Sequence, residues 1–392
     1  MGEIELLRGV AELPRDDWNA LVGDESPFLE WGWLASLEEA GALGEETGWL
    51  PRPLVAREGG RLVAACPLYI KSHSEGEFVF DWGWADAAER AGIQYYPKLL
   101  VGVPFTPVAG ARFLVAPGQD RSRWVARLAE ALRELCLANQ LSSVHVCFAQ
   151  RDEIAPLREA GFDLRLGVQY HWHNAGYTDF EAYLDRFRSR RRNQIRRERR
   201  SLEHEEIQVE ALTGDAIPDE LFETMFRFYL ANVQGKSWGR QYLNRRFFEL
   251  LKQRFRHRLC FVIARQGGLP VAGTLNVQKG KSLYGRYWGA DAEIRYLHFN
   301  VCYYAAIEHC IREGIERFEP GAGGDYKQLR GFDAQPTASL HFISDPRLRD
   351  AVRRFLAAER KEAEQTIDWL RERSALKQES SSAAAGIQKS PR

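Results

Sequence analysis

The chain has 392 residues, 45% of them apolar and 28% charged, and its 54 basic and 54 acidic side chains leave a formal net charge of zero. That length and composition suffice for an ample core and two domains, and the charge balance commits the molecule as a whole to no nucleic acid. There is no run of about 18 apolar residues and no charged-then-apolar start, and Cys66, Cys136, Cys147, Cys260, Cys302 and Cys310 form no C-x-x-C pair. The expectation is a soluble, cytoplasmic protein without a membrane span, whose cysteines are reduced core residues.

In chain order, the first distinctive stretch is AREGGRLVAACPL at 56–68, because it returns as ARQGGLPVAGTLN at 264–276. Arg57, Gly59, Gly60, Val63 and Ala64 meet Arg265, Gly267, Gly268, Val271 and Ala272 at one offset, and Trp82-Gly83 answers Trp288-Gly289. A further echo pairs Leu157 to Phe162 with Leu329 to Phe332, at a shorter offset that requires extra sequence in the first copy, placed here within 91–115. Self-similarity over separate blocks predicts two copies of one unit.

Residues 123–140 of the first copy read as its long helix and 143–149 as the strand after it. The run 186–200 then holds nine arginines. On a helical wheel Leu184, Phe187, Arg191, Ile195 and Leu202 share one face, so the segment docks while most arginines face outward. In the second copy, 206–212 alternates like a strand, and 218–233 and 245–255 carry apolar residues at helical spacing. Three strand-like runs follow over 259–268, 269–280 and 281–291, separated by Gly-Gly and Lys-Gly-Lys turns, as in an antiparallel meander. A helix over 299–314 stops at Gly314, and strand 315–321, a short helix over 324–332 and strand 338–344 complete the unit. Beyond Pro346 a charged amphipathic helix carries Val352, Phe355, Leu356 and Ile367 on its apolar stripe. These boundaries divide the chain into a first domain (1–176), a basic connecting helix (177–205), a second domain with the active cleft (206–345), the amphipathic helix (346–373) and a tail (374–392) too poor in apolar residues to form a core.

This order of elements, an α/β (α+β) class with mixed sheets flanked by helices, is that of the GNAT acyltransferase fold. Two such folds in tandem, joined by a basic helix, resemble the Fem-type peptidoglycan aminoacyltransferases over roughly residues 1–370. The closest resemblance is to the Fem-like peptidoglycan biosynthesis or recognition family, at YYPKLLVGVPFTPVAG, HVCFA, GVQYHWHN, YGRYWGA, LHFNVCYY and YKQLRGF. It implies an acyltransferase that joins an acyl or aminoacyl group to a substrate amine, with a cell-wall precursor as an acceptor. No bound cofactor is implied; the donor is a co-substrate, aminoacyl-tRNA or else acyl-CoA or acyl carrier protein.

Two stretches carry the candidate chemistry. The arginine run is open to two readings, a solvated basic helix or a surface for phosphates, since guanidinium forks match phosphate geometry and only Glu198 is at hand to offset them. The resemblance places an Arg-x-x-Ile-Arg helix near the cleft, here Arg192, Ile195 and Arg196. In EPGAGGDYKQLRGF (319–332) Gly321, Gly323 and Gly324 leave the backbone free to approach a ligand, though they equally suit plain turns. Here the resemblance implies Lys327 as the electrostatic partner of an oxyanion, beside Tyr326 and with Arg330 following. Asp325 and Glu319 are the nearest carboxylates to accept an amine proton.

His171 and His173 alternate on a strand and share a face, but with no third ligand they read as cleft-lining, with Asn174, rather than as a metal site. In YGRYWG, strict alternation puts Tyr284, Arg286 and Trp288 on one face, where Arg286 calls for an anionic partner. His298 and the loop Lys236-Ser237-Trp238 are further candidates on that side. The junction GADAEIRYLHFN lacks the glycine-rich loop that holds a CoA pyrophosphate, which disfavours ordinary CoA binding. The competing class is a non-catalytic module that binds an anionic cell-wall precursor or RNA.

Overall fold

The computed structural model describes residues 2–235 and 239–377. Lys236, Ser237, Trp238 and the tail beyond 377 lie outside the described residues. The first copy contributes strands β1 (Glu3–Leu6), β2 (Trp49–Pro51), β3 (Leu54–Glu58), β4 (Arg61–Cys66), β5 (Leu68–Lys71), β6 (Lys98–Val101), β7 (Leu114–Val115), β8 (Ser143–Ala149) and β9 (Asp163–His173). The second contributes β10 (Ile207–Thr213), β11 (Leu259–Gln266), β12 (Leu269–Lys279), β13 (Ser282–Ala290), β14 (Arg317–Glu319) and β15 (Asp333–Ile343).

The repeat in the sequence is a repeat of hydrogen bonding. Gly59-Gly60 and Gly267-Gly268 have φ of 56° and 80°, and of 57° and 82°, values that a two-residue hairpin turn demands and glycine supplies without strain. Both hairpins slip register at the same place. Ala56 faces Ala64 but Arg57 faces Leu62, and Ala264 faces Ala272 but Arg265 faces Pro270. The arginine at the slip bonds a glutamate on the neighbouring strand each time, Arg57 to Glu5 at 2.8 Å and Arg265 to Glu210 at 2.9 Å.

The Trp-Gly echo is not part of this relation. Trp82 begins a helix, Trp82–Arg90, whereas Trp288 and Gly289 lie in β13. Strand register equates Gly289, opposite Gly273, with Leu114, opposite Ala65. The extra sequence of the first copy falls inside the expected span: residues 102–113 separate β6 from β7 where β13 runs on with three residues, Arg286 to Trp288.

Four strands form a small sheet, β1-β3-β4-β7, and eleven form a continuous one, β10-β11-β12-β13-β14-β9-β15-β8-β6-β5-β2. In the large sheet the copies exchange their last strands. β9 of the first copy lies beside β14 of the second, β15 of the second beside β8 of the first, and β9 and β15 pair antiparallel from Asp333↔His171 to His341↔Asp163. The helix Pro346–Glu372, capped by the Asp345 side chain, covers this seam with Leu348, Val352, Leu356, Ile367 and Leu370; Phe355, expected on that stripe, is instead 50% exposed. Burying each such leucine contributes about 1.5–3 kcal/mol. The start of the expected tail returns to the body: Leu376 bridges to Phe187 and the Lys377 amide donates to the Arg186 carbonyl at 2.7 Å. Among the described residues no helix is long and apolar enough to cross a membrane.

Candidate functional site

β13 and β14 run parallel for three pairs only, ending at Tyr284↔Glu319. Beyond that pair β13 bulges. Gly285 faces Asn276 and Tyr287 faces Leu275, which leaves Arg286 as the extra residue. Such a bulge bends a strand and re-aims its side chains, so the expected alternation fails here, and Arg286, Tyr287 and Trp288 all reach one cavity. The other wall turns away through Pro320 and Gly321. A β-carbon on Gly285 would stand 3.2 Å from Pro320 Cα, and Gly321 has φ of 90°, so the glycines let the two backbones cross closely as they part. The opening between the strands is a cavity of about 580 Å³.

Lys327 lines this cavity and is 2% exposed. Its Nζ donates to the carbonyls of Gly321 at 2.6 Å and Ala322 at 3.2 Å, and no carboxylate among the described residues is within ion-pair range. An ammonium has three donors, so one is left over. Burial brings the Lys327 pKa down to about 8. Tyr326, Trp288 and His298 lie on the same cavity, with the His298 ring 5.1 Å from Trp288 and 6.0 Å from Tyr326. The helical run that carries His298 widens to a π-helix over Asn300–Tyr304, a form concentrated at functional sites, and this stretch adds Cys302 and Tyr303 to the lining.

Sequence reasoning missed the contribution of the first copy. Phe78, Phe80, Trp82 and Phe105 line the cavity of the second, and the Phe105 ring stacks on Tyr242 at 4.6 Å. The wall that bears Phe78 and Phe80 is fixed from behind by Lys98, buried beneath it, which donates to Ser74 at 2.8 Å, Glu77 at 2.9 Å and Asp81 at 2.5 Å. Alternation in 76–82 was the available signal: Gly76, Phe78, Phe80 and Trp82 face the cavity, Glu77 and Asp81 the lysine. At the corresponding point of the first copy β6 also runs parallel to β8 for three pairs. There the space beyond is filled by Arg112, which is fully buried and donates to the carbonyls of Cys147, Gly110, Ala111 and Val108.

Other expected site residues lie elsewhere. Asp325 is exposed, 3.4 Å from the Tyr170 hydroxyl and outside the cavity lining. Arg330 is buried, bonded to Glu198 at 2.9 Å and the Tyr304 hydroxyl at 2.9 Å, and packed 3.4 Å over the Phe299 ring. Arg192 pairs with Asp185 at 2.9 Å and Arg196 with Glu181. The helix just before the arginine run thus supplies the counter-charges that reading the run alone omitted. His171 and His173 line a second cavity of about 610 Å³. Asn174 builds a turn, accepting from the amides of Gly176 and Tyr177. Trp238 lies outside the described residues. Among the described residues no three side chains of metal-ligand type converge.

A duplicated GNAT-like fold, open between two diverging strands in one copy and plugged in the other, is the class these features define. The chain belongs to the FemAB-like family, described as peptidoglycan biosynthesis/recognition, whose model matches residues 9–378. Among solved structures it is similar to FemX (TM-score 0.55, 12% identity, 87% of this chain and 98% of that one). It is also similar to the C-terminal domain of a protein assigned as a lysylphosphatidylglycerol synthetase from Agrobacterium fabrum (TM-score 0.53, 11% identity, 86% and 95%). A conserved protein of unknown function from Bacteroides thetaiotaomicron gives a TM-score of 0.52 at 11% identity, over 88% of this chain and 100% of that one. At such identities the likeness is one of fold. No curated protein matches the chain.

Proposed function

We propose that the protein is an N-acyltransferase that joins an acyl or aminoacyl group to a substrate amine in the cavity between β13 and β14. The observation that carries this reading is Lys327, a buried ammonium with no carboxylate partner among the described residues, held by two carbonyls with one donor to spare. Amide formation passes through a tetrahedral oxyanion, and a preorganised cation in a site screened from water favours that charge over the neutral carbonyl. Holding donor and acceptor between the two copies supplies the orientation. Nothing in the cavity lining resembles a Ser-His-Asp or Cys-His set in sequence, which favours direct attack by the amine over an acyl-enzyme. Cys302 lines the cavity, but burial pushes its thiol well up, away from the reactive thiolate.

The family's description supports a cell-wall precursor as acceptor. An aminoacyl-tRNA stands ahead of acyl-CoA or acyl carrier protein as donor, because the solvent-facing arginines Arg188, Arg190, Arg197 and Arg200 have no ion-pair partner among the described residues and phosphates suit them. The test combines mass spectrometry of small molecules and tRNA retained through purification with transfer assays on the donors found. Label passing to an amine, and lost in Lys327→Ala, supports the reading. Tight retention of a precursor or RNA, with no transfer from any donor and unchanged affinity in Lys327→Ala, replaces it with a binding module.

A further inference from the structure

Amide formation from an ammonium acceptor leaves one proton over. The ammonium gives up one proton to become the nucleophile and a second once the C–N bond has formed, and the departing oxygen or sulfur takes only one of the two. The other carboxylates near the cavity are poorly placed to receive the remaining proton: Glu75 is paired with Arg240, and Asp325 is exposed to solvent and accepts from the Tyr170 hydroxyl.

Glu319 is different. It ends β14 at the point of divergence, two residues before the Gly321 carbonyl that holds Lys327, and is 3% exposed. One carboxylate oxygen stands 3.2 Å from Arg317 Nε. The other has no hydrogen-bond partner, and 3.7 Å from it lies His171 Nε2, also buried and also without one. Two unsatisfied polar atoms side by side each cost about 1–3 kcal/mol, and such pairs call for a reason.

Their position supplies one. His171 lines the second cavity, with His173, Arg317 and Tyr284, while Glu319 feels the charge of Arg286 in the first cavity and His171 that of Lys327. Glu319 itself stands behind both linings: its neighbour Pro320 lines the first cavity and His171 the second, so the pair lies between the two spaces. Charged and titratable groups reach Glu319 from every side: Arg317 on its own strand, His171 on β9, Tyr284 and Arg286 on β13, and Arg112 from the 102–113 excursion. Burial nevertheless raises the Glu319 carboxyl to about 7, and burial together with Arg317 lowers His171 to about 3. A carboxylate near neutrality takes and releases a proton readily, and a neutral imidazole can accept on one nitrogen as it donates from the other.

We propose that Glu319 and His171 form a proton exit from the reaction cavity to the second cavity, a step that rests on the transfer reaction proposed above. The surplus proton passes by way of cavity solvent to the Glu319 carboxylate and from there to His171 Nε2. The imidazole releases its other proton into the second cavity, and return of the ring to its first tautomer resets the path. No electron changes hands, and both groups act as relay residues.

The test uses the full-length protein, charged total tRNA as donor, and two acceptors. Glycinamide is an ammonium at neutral pH and its transfer yields a surplus proton; hydroxylamine is already neutral and its transfer yields none. Glu319→Gln and His171→Asn are expected to cut transfer to glycinamide by roughly 10²-fold and to affect hydroxylamine about tenfold less. Glu319→Asp, which keeps the acid, restores part of the glycinamide rate and separates relay from folding. Equal loss with both acceptors, or loss with neither, overturns the proposal. If the wild type transfers to neither acceptor, the choice of tRNA donor or of these acceptors fails and not the relay, and infrared titration then decides the relay. Burial raises Glu38, Glu77 and Glu153 to about 7 as well, so the readout is the wild type minus Glu319→Gln difference. A protonated carboxyl band in that difference that fades near pH 7 and shifts in His171→Asn supports the relay; a difference without that band overturns it.

Discussion

The guanidinium of Arg286, on β13 of the second copy, donates a hydrogen bond to the backbone carbonyl of Phe105, in the 102–113 excursion of the first. Both belong to the same position of the duplicated unit. One copy bulges there by a single residue and stays open, and the other adds a loop that plugs its own opening with Arg112 and lends Phe105 to its neighbour's cavity. Arg286→Lys keeps the charge but offers no fixed fork to serve carbonyl and ligand together. Chemical denaturation should show a modest loss, about 1 kcal/mol, while affinity for anionic donors falls more steeply.

Lys327 gives two opposed readouts. Stabilising an oxyanion needs the ammonium, so transfer should decline as pH rises through about 8, and Lys327→Met should lose roughly 10²–10³-fold in rate. Stability moves the other way. The folded pKa is depressed below the unfolded value, so between about 8 and the ordinary lysine value the unfolded chain binds more protons, and stability rises with pH across that window. In Lys327→Met that rise should be missing from urea titrations at pH 8 and pH 10, and its stability at neutral pH should match or exceed the wild type, because a buried, unpaired cation has been removed.

Gly289 and Gly83 look alike in sequence and are opposites in the structure. A β-carbon on Gly289 would run into the backbone of Phe228, on the helix Glu220–Gln234 pressed against β13, whereas one on Gly83 meets nothing within 4 Å. Gly289→Ala should cost about 3 kcal/mol or prevent folding. Gly83→Ala, in the first turn of the helix Trp82–Arg90, should be neutral or add up to about 0.5–1 kcal/mol. Thermal melts of the two variants side by side measure the difference.

The same contrast marks how far the sequence could be read. Hairpins are written locally, in Gly-Gly turns and alternation, so the duplication and the order of elements were legible, as was the short helix that carries Lys327. The exchange of β9 and β15 was only partly legible, because the expected strand 338–344 covers just the end of β15, Asp333–Ile343, and no local pattern names a strand's neighbours. The cavity wall at 76–82 was not read at all, since its pattern depends on Lys98, some 20 residues away and buried. Among the site residues, Lys327, Tyr326, Arg286, Trp288 and His298 do converge on one cavity. For Arg192 and Arg196 in the basic run, and for Arg330 in 319–332, the sequence shows the cation and not the carboxylate that folding brings beside it.

Glu198 and Arg196 test that last point. Glu198 is 1% exposed and binds Arg330, Tyr304 and Gln194, tying the basic helix to the segment that bears Lys327. Glu198→Ala strands the Arg330 guanidinium without a counter-charge and should cost about 3–5 kcal/mol. Arg196→Ala removes only a solvent-exposed pair with Glu181 and should leave the melting temperature unchanged. RNA binding should sort the same helix differently. Replacing Arg190 and Arg197, which are exposed and unpaired among the described residues, should flatten the salt dependence of affinity by about one unit of slope per arginine. Replacing Arg192 and Arg196 should flatten it less, because Asp185 and Glu181 already neutralise them.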